Sequence, residues 1–313
     1  MQSIMAWNGK AISQPGLYSG VALDVYHSQD ICEGPSVSSS GLRRILEING
    51  GSPAHFYYEW SGQKQKDDDE AGREEKEALV LGRAAHHLLL GQPNFRKHFV
   101  VSEHEYFRTN AAKEWRAAQT RTIVRQQHVK IIEGMAAALA KNELLHPGKD
   151  RHGLLGRYTE CSGFWRDDET GIWCKIRPDA IPTDSGDYAD LKTTISVQHV
   201  DLSRTIADLA YHQQAALVAE GSEKVIGVPM AHFTFVFVEK APPYCVQIVE
   251  VNRGDIAIGQ AQNHAALRLL RRCIDAKDWP GPGAGHIYEL SLTDRYRQRA
   301  EALLADDKLG RAA

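Results

Sequence analysis

The stretch Trp173–Thr194, WCKIRPDAIPTDSGDYADLKTT, constrains the fold of this chain more than any other. Two apolar-rich runs flank the turn-forming cluster Thr183-Asp184-Ser185-Gly186-Asp187, a pattern that reads as a β-hairpin. The first run carries Asp179 behind Pro178, and the second carries Asp190 and Lys192. Residues i and i+2 of a strand share a face, so Asp190 and Lys192 point the same way. If the turn centres between Asp184 and Ser185, symmetric pairing sets Asp179 directly opposite Asp190. Opposed residues have Cβ atoms about 4.5–5.5 Å apart, and like charges there are destabilising. Two facing carboxylates need a counter-charge, and a hard divalent cation is the natural one.

The 313 residues could form one large domain or two small ones. No break in composition divides them. The expectation is therefore one unit over 1–313, with an N-terminal segment at 1–60, a core at 77–277 and a tail at 278–313. A formal net charge of −3 argues neither for nor against nucleic acid, so any DNA contact needs a local basic surface. MQSIMAWNGKAISQPG has no basic region followed by an apolar core, and no run approaches the roughly 18 apolar residues that span a bilayer. The five cysteines are scattered and lack CxxC spacing, which suits core thiols in a reducing compartment. The chain thus reads as cytoplasmic, without membrane contact.

Residues 1–37 look irregular. Ser38-Ser39-Ser40 then precedes a helix to about Ile48. Arg43 and Arg44 in its first turns are either solvated or part of a phosphate site, formed with the hydroxyls of Ser39 and Ser40 and the helix N-terminal amides. AHFYYEW reads as a short aromatic helix, Gly62–Glu77 as a solvated loop or frayed helix start, and Glu77–Leu90 as an apolar helix broken before Pro93. Gly82, Ala84 and Ala85 suit close packing on that helix. His86 is either a satisfied core histidine or a functional one, with His87 the weaker candidate. A helical segment from Ala111 to Leu145, broken near Thr122 and ended by His146-Pro147-Gly148, carries Lys113, Arg116, Arg121 and Arg125. Their face is either solvated or turned towards DNA. RYTECSGFW is a strand that places Glu160 near the acids, and with the hairpin it makes a three-stranded meander. A helix over Leu202–Glu220 follows, then strands HFTFVFVEK and YCVQIVEV, an amphipathic helix over Gly254–Ala276 and a charged, helical tail from Ser291. This order fits an α/β core with a mixed β-sheet flanked by helices.

Carboxylates hold Mg²⁺, which keeps several waters and takes phosphate oxygens as its other ligands. Such a metal lowers the pKa of bound water, while a lysine orients or deprotonates the attacking water and offsets negative charge. Asp179, Asp190 and Lys192 are a set for phosphodiester hydrolysis, although Pro-Asp hairpins ending in lysine also arise on plain surfaces.

Several further pieces occur in order between Tyr26 and Tyr244: YHSQDICEGPSVSSSGLRRIL, LGRAAHHLLLG, GIWCKIRPDAIP, ADLKTT, YHQQAALV and FVFVEKAPPY. They include GxxxH (Gly82 to His86), the PD, the DxK and a following YxxQ. In these the chain resembles the PD-(D/E)XK nuclease superfamily, in particular the RecE-like (exonuclease VIII-like) phage recombination exonucleases. The resemblance implies a PD-(D/E)XK nuclease core. It implies Asp179 and Asp190 as central metal ligands, His86 as a metal contact or support, Lys192 as the catalytic lysine, and Gln214 and Tyr211 beside the site. Glu160 falls at an acidic position and is a candidate further ligand. The QxxxY pattern of the related helix is not complete, since Val218 stands four residues after Gln214. The cysteine spacing does not match an iron–sulfur cluster, so none is expected. The implied activity is Mg²⁺-dependent (or Mn²⁺-supported) degradation of double-stranded DNA from its ends, 5′→3′, leaving 3′ single strands for phage-type recombination. A homo-oligomeric ring, a single-strand annealing protein as partner, and a prophage origin in a bacterial host go with that expectation. A structure-specific or restriction-like endonuclease and a DNA-binding protein with a retired site are the alternatives.

Overall fold

The computed structural model describes residues 4–64, 77–92, 95–145 and 153–310. The first half of the chain runs through β1 (Met5–Ala6), β2 (Gly16–Ser19), α1 (Leu23–His27), β3 (Ser36–Ser38), α2 (Ser39–Ile45) and α3 (Pro53–Trp60). It continues with α4 (Glu77–Leu89), α5 (Phe95–His98), β4 (Phe99–Val101), α6 (Asn110–Ala117), β5 (Thr122–Val124) and α7 (Gln126–Ala140). The strands β6 (Tyr158–Thr159), β7 (Ser162–Arg166), β8 (Trp173–Ile176), β9 (Ala180–Ile181) and β10 (Asp187–Thr194) follow. Then come α8 (His199–Asp208), α9 (Tyr211–Gly221), β11 (His232–Glu239), β12 (Val246–Glu250), α10 (Arg253–Ala276) and α11 (Asp294–Gly310).

Two five-stranded mixed sheets carry the fold, in the orders β1-β2-β7-β8-β3 and β12-β11-β10-β9-β6, and β4 pairs with β5 beside them. The architecture is α/β, with mixed sheets flanked by helices. β10 and β11 are parallel over eight pairs, so the chain must cross over between them, and α8 and α9 make that crossing. Side chains alternate across β11. Phe233, Phe235 and Phe237 face a core shared with α9 and α10, whereas Val236 and Val238 face a second core with α4 and α7. The second sheet is therefore covered on both sides, and β10 is buried along most of its length.

Several boundaries differ from the sequence expectation, each for a local reason. RYTECSGFW is two strands, because the chain passes from the second sheet to the first between β6 and β7. The run from Trp173 divides in the same way at Arg177-Pro178, so the meander is spread over two sheets. The break near Thr122 is itself a strand, β5, where Thr-Ile-Val favours extended backbone. The helix expected over 202–220 is interrupted at Ala210, whose φ of +48° leaves the helical region. α2 ends at Ile45 because Leu46 is extended. Residues 1–37 supply three strands and a short helix where irregular chain was expected. Pro93, His146-Pro147-Gly148 and most of the polar run Gly62–Glu77 lie outside the described residues.

The turn that leads into β10 depends on one glycine. Gly186 has φ +91°, and a Cβ there would sit 2.2 Å from the carbonyl oxygen of Pro229. Gly186→Ala should therefore cost about 1–3 kcal/mol in urea unfolding, from backbone strain and the clash together. Gly171→Ala, at φ +69° in open space, should cost only about 1 kcal/mol. Equal losses for the two variants would show that the contact with Pro229 is unimportant.

Candidate active site

The site forms where β9 leaves β10. Ala180 pairs with Ala189, and the same antiparallel register continued by one step brings Asp179 beside Asp190. One step further it would bring Pro178 beside Leu191, but proline has no N–H to donate to the ladder. The Leu191 peptide is completed by side chains instead. Its N–H donates to Asp179 Oδ2 at 2.6 Å, and its carbonyl accepts from His86 Nε2. A carbonyl only accepts, so Nε2 carries the proton, and Nδ1 is left facing Asp179 Oδ1 at 3.5 Å. His86 reaches this point because α4 runs close over β10; a Cβ on Gly82, one turn before His86, would be 4.0 Å from Thr193 Oγ1. Ala84 and Ala85 on the same helix are fully buried, and His87 packs into the core against Phe95 and Phe99.

Asp190 points to the other face, towards α9, with Lys192 beside it. Its Oδ2 accepts from Gln214 Nε2. Its Oδ1 touches the Lys192 ammonium as an ion pair yet has no aligned hydrogen bond. The ammonium in turn lies 4.9 Å from the centre of the Tyr211 ring and 5.7 Å from that of Phe235. Burial and the neighbouring charge of Asp190 raise the Asp179 carboxyl to about 7, against the weaker pull of His86 and Lys192. For Lys192 burial acts to lower the pKa, but Asp190, Tyr211 and Asp179 outweigh it and the pKa rises, so this side chain is an ammonium at neutral pH.

A Pro-Asp step, a strand Asp-x-Lys beside it and a crossover helix that touches both charges define the centre. The family model for a PDDEXK-like domain of unknown function (DUF3799) matches residues 38–290. The chain belongs to this PDDEXK-like family. Its fold is similar to the crystal structure of a "putative exonuclease" from Eubacterium rectale, with a TM-score of 0.53 and 14% identity over 86% of this chain and 92% of that one. No curated protein matches the sequence significantly.

The other residues singled out in the sequence fall at varied distances from this PDDEXK-like centre. Glu160 is not part of the acidic pair in this arrangement. Its two oxygens accept from Gln92 Nε2 and, at 2.5 Å, from Arg177 Nε. Arg43 sends Nη1 to the carbonyl of Leu209 at 2.6 Å, fastening α2 to the end of α8. Arg44 and Ser40 line a cleft of about 200 Å³ together with Ser36, Ser38 and Lys175; Ser39 is not among its lining residues. Arg121 donates to the carbonyl of Arg96, and Arg125 pairs with Glu77 at 3.2 Å while it and Arg116 lie over the Phe107 ring. Lys113 sits on the exposed side of α6.

Two features escaped the sequence reading. Lys175 is only 3% exposed; its ammonium donates to the carbonyl of Ser28 and to Ser36 Oγ, each at 3.2 Å, and burial lowers it to about 8. A lysine within the otherwise apolar WCKI was the available signal, because a fully buried lysine is rare without partners. Gln213 is fully buried, accepts from Asn49 at 2.7 Å and donates to Asn263 at 3.1 Å. That chain of amides fixes the first turn of α9, which carries Tyr211 and Gln214. No single-residue signal announced it.

Among the described residues, no group of three or more His, Cys, Asp or Glu side chains forms a ready-made cation cage. The donors nevertheless fit a hard divalent ion. Mg²⁺ takes one or two carboxylates and fills its remaining positions with water and phosphate oxygens. Asp190 Oδ1 is buried and meets only the Lys192 ammonium, while burial and the charge of Asp190 hold Asp179 towards its neutral form. A cation between the two acids would offset that charge. Mn²⁺ satisfies the same oxygen donors and accepts an imidazole more readily than Mg²⁺ does.

The raised pKa of Asp179 has a definite sign in stability. Between about pH 4 and 7 the folded chain binds a proton that the unfolded chain has released, so metal-free stability falls as pH rises through that window. Asp179→Asn keeps an acceptor for Leu191 N–H and removes the charge. It should stabilise the metal-free protein by about 1–3 kcal/mol at pH 8 and by nearly nothing at pH 4, as read by chemical unfolding. A variant less stable than wild type at pH 8 would mean that the carboxylate is not under electrostatic stress.

Proposed function

We propose that this protein is a divalent-metal-dependent deoxyribonuclease that degrades double-stranded DNA from its ends. The observation that carries the reading is the buried trio of Asp179, Asp190 and Lys192. Two acids meet there at the break in the β9–β10 ladder, and the lysine is held as an ammonium against the Asp190 carboxylate. Burying such charges costs several kcal/mol per ion, a cost that packing alone does not repay.

Asp179 and Asp190 would hold the ion, with His86 Nδ1 next to Asp179, and the bound metal supplies an acidified water and a positive charge for the phosphoryl oxygens. Lys192 stays protonated, so its part is to bind a non-bridging phosphoryl oxygen or the attacking water and to offset the charge that grows as the phosphorus–oxygen bond breaks. Gln214 fixes the orientation of the Asp190 carboxylate through Oδ2. Tyr211 keeps the ammonium beneath its ring and restricts where Lys192 can reach.

End selection is assigned to the cleft beneath α2. Ser40, Arg44 and Lys175 bring two hydroxyl or ammonium donors and a guanidinium to a space of about 200 Å³, enough for a phosphate group. Lys175, with a pKa near 8, is still mostly charged at pH 7. In this reading the cleft takes the 5′-terminal phosphate, degradation runs 5′→3′, and the 3′ strand is released for recombination with an annealing protein. A ring of subunits around the duplex would let a chain of net charge −3 hold DNA through its lining residues alone.

End-labelled linear duplex with Mg²⁺ should yield labelled mononucleotide first when the label is at the 5′ phosphate, and a covalently closed circle should remain intact. Cleavage of the circle would overturn the exonuclease reading in favour of an endonuclease. Asp190→Ala and Lys192→Ala should each lower the rate by about 10³-fold or more while the far-ultraviolet spectrum is unchanged. Arg44→Ala should erase the preference for 5′-phosphorylated over 5′-hydroxyl ends, and an unchanged preference would remove the cleft from end recognition.

A further inference from the structure

We infer that residues 288–292 of one chain add as a strand to the free edge of β12 in a second copy of the chain. Three features of the molecule meet in this assignment.

The first is an open edge. Among the described residues β12 pairs with β11 alone, so the second sheet ends there; the Ile248 carbonyl accepts from the Gln247 side chain at 3.1 Å, and no strand meets the edge. Beside that edge lies an apolar groove of about 410 Å³, between α7 and the start of β12. Its floor is made by Gly134, Ala137 and Ala138, and its wall by Tyr244 and Val246, with Lys141 at one end. Gly134 admits the Tyr244 ring, and the small side chains of Ala137 and Ala138 leave room beside it for those of an added strand.

The second is a segment with the matching pattern. Tyr288-Glu289-Leu290-Ser291-Leu292 alternates apolar and polar residues strictly, which is the signature of a half-buried strand. The segment has no regular structure and no core to bury its apolar side; Tyr288 is 63%, Leu290 90% and Leu292 59% exposed. Laid along β12, it would send Tyr288, Leu290 and Leu292 into the groove and leave Glu289 and Ser291 on the opposite face. Five residues match the five of β12.

The third feature selects the occupant. The chain ahead of the segment is anchored on the other side of the sheet. Trp279 stacks on Tyr57 at 4.5 Å, Ala54 N–H donates to the carbonyl of Pro280 at 3.0 Å, and Gly283 N–H donates to Glu47 at 3.4 Å. Trp279 belongs to the core that contains Phe235 and α10, whereas Tyr244, Val246 and the groove belong to the core of α4 and α7. The anchor of a chain's tail thus lies on the opposite face of the second sheet from its own groove, whereas a neighbouring chain can bring the segment to that groove directly. The exchange gives the proposed ring a concrete contact but depends on none of the nuclease chemistry.

Cys245 lies at the same edge and is the exposed cysteine of the five, with the others buried. The register of β12 turns Val246 and Ile248 to the groove side, so Cys245 faces away from it, as Glu289 and Ser291 would. The full-length chain at micromolar concentration should sediment as an oligomer, and Leu290→Asp and Ala137→Arg should each reduce it to monomer. Both positions are at the surface, so neither change disturbs the core. Glu289→Cys and Ser291→Cys, each combined with Cys245→Ser and mixed with a longer tagged wild-type chain, should give an interchain disulfide under mild oxidation for at least one position. A monomeric wild type, an oligomer indifferent to Leu290→Asp, or cross-links formed only within one chain when Cys245 is retained would each overturn the exchange. An oligomer that persists in the Leu290→Asp variant would leave the ring standing on some other contact, and end-dependent cleavage by that variant would leave the nuclease reading untouched.

Discussion

The peptide unit of Leu191 is the constraint on which the rest of the site depends. A central strand normally satisfies its main-chain groups with two neighbouring strands, and β10 has β11 along one side throughout. On the other side the ladder stops after Ala180, because Pro178 has no donor to offer. Asp179 and His86 take over the N–H and the carbonyl of Leu191. Leaving those groups buried and unpaired would cost about 1–3 kcal/mol each, so the two side chains are held where the backbone needs them. The orientation of one acid and of the imidazole is thus set by secondary structure rather than by their own flexible torsions.

The same strand carries the opposing charges in the other direction. Asp190, Lys192 and Tyr188 alternate with Ala189 and Leu191, and β10 is closed in on both faces. The pairing of Asp190 with Lys192 is worth less as a stabiliser than an apolar pair would be in the same place. Gln214 and Tyr211 then bind the two charges to the start of α9, and the chain Asn49–Gln213–Asn263 pins that turn to α10 and to the segment after α2. Such a network rigidifies the site only because every amide in it is satisfied.

How far the sequence revealed this depended on the range of the interactions. The register of Asp179 against Asp190 was legible because the turn residues between the two runs set it locally, and Gly186 has the positive φ that such a turn demands. The approach of Gly82 and His86 to the lysine-bearing strand was legible only through the order of motifs. The split of the long strands was not legible, since WCKIRPDAI alternates no differently across Arg177 than within β8. Whether a strand continues in one sheet or passes to another is decided by partners more than a hundred residues distant, such as β3 beside β8. The break at Ala210 was hidden for a similar reason: the propensity of IADLAYHQQ favours one helix, and tertiary anchoring of Leu209 by Arg43 overrides it.

Glu160 shows that a residue singled out by its position can carry a structural duty as well. Between β6 and β9 the chain crosses from the second sheet to the first and back again, and Glu160 and Arg177 stand at those two crossings. Their side chains form an ion pair, and Arg177 also donates to the carbonyl of Val21 and to Ser162 Oγ at 2.7 and 3.2 Å. Glu160 adopts φ +58°, a conformation that costs a non-glycine residue about 1 kcal/mol and persists only where its surroundings enforce it. Its N–H meanwhile donates to the carbonyl of Asp179 at 3.3 Å. The acid therefore acts on Asp179 through the backbone, by clamping the point at which the Pro-Asp step enters the second sheet. Both oxygens of Glu160 are engaged, by Gln92 and by Arg177, so a metal at this acid would have to share it with that clamp.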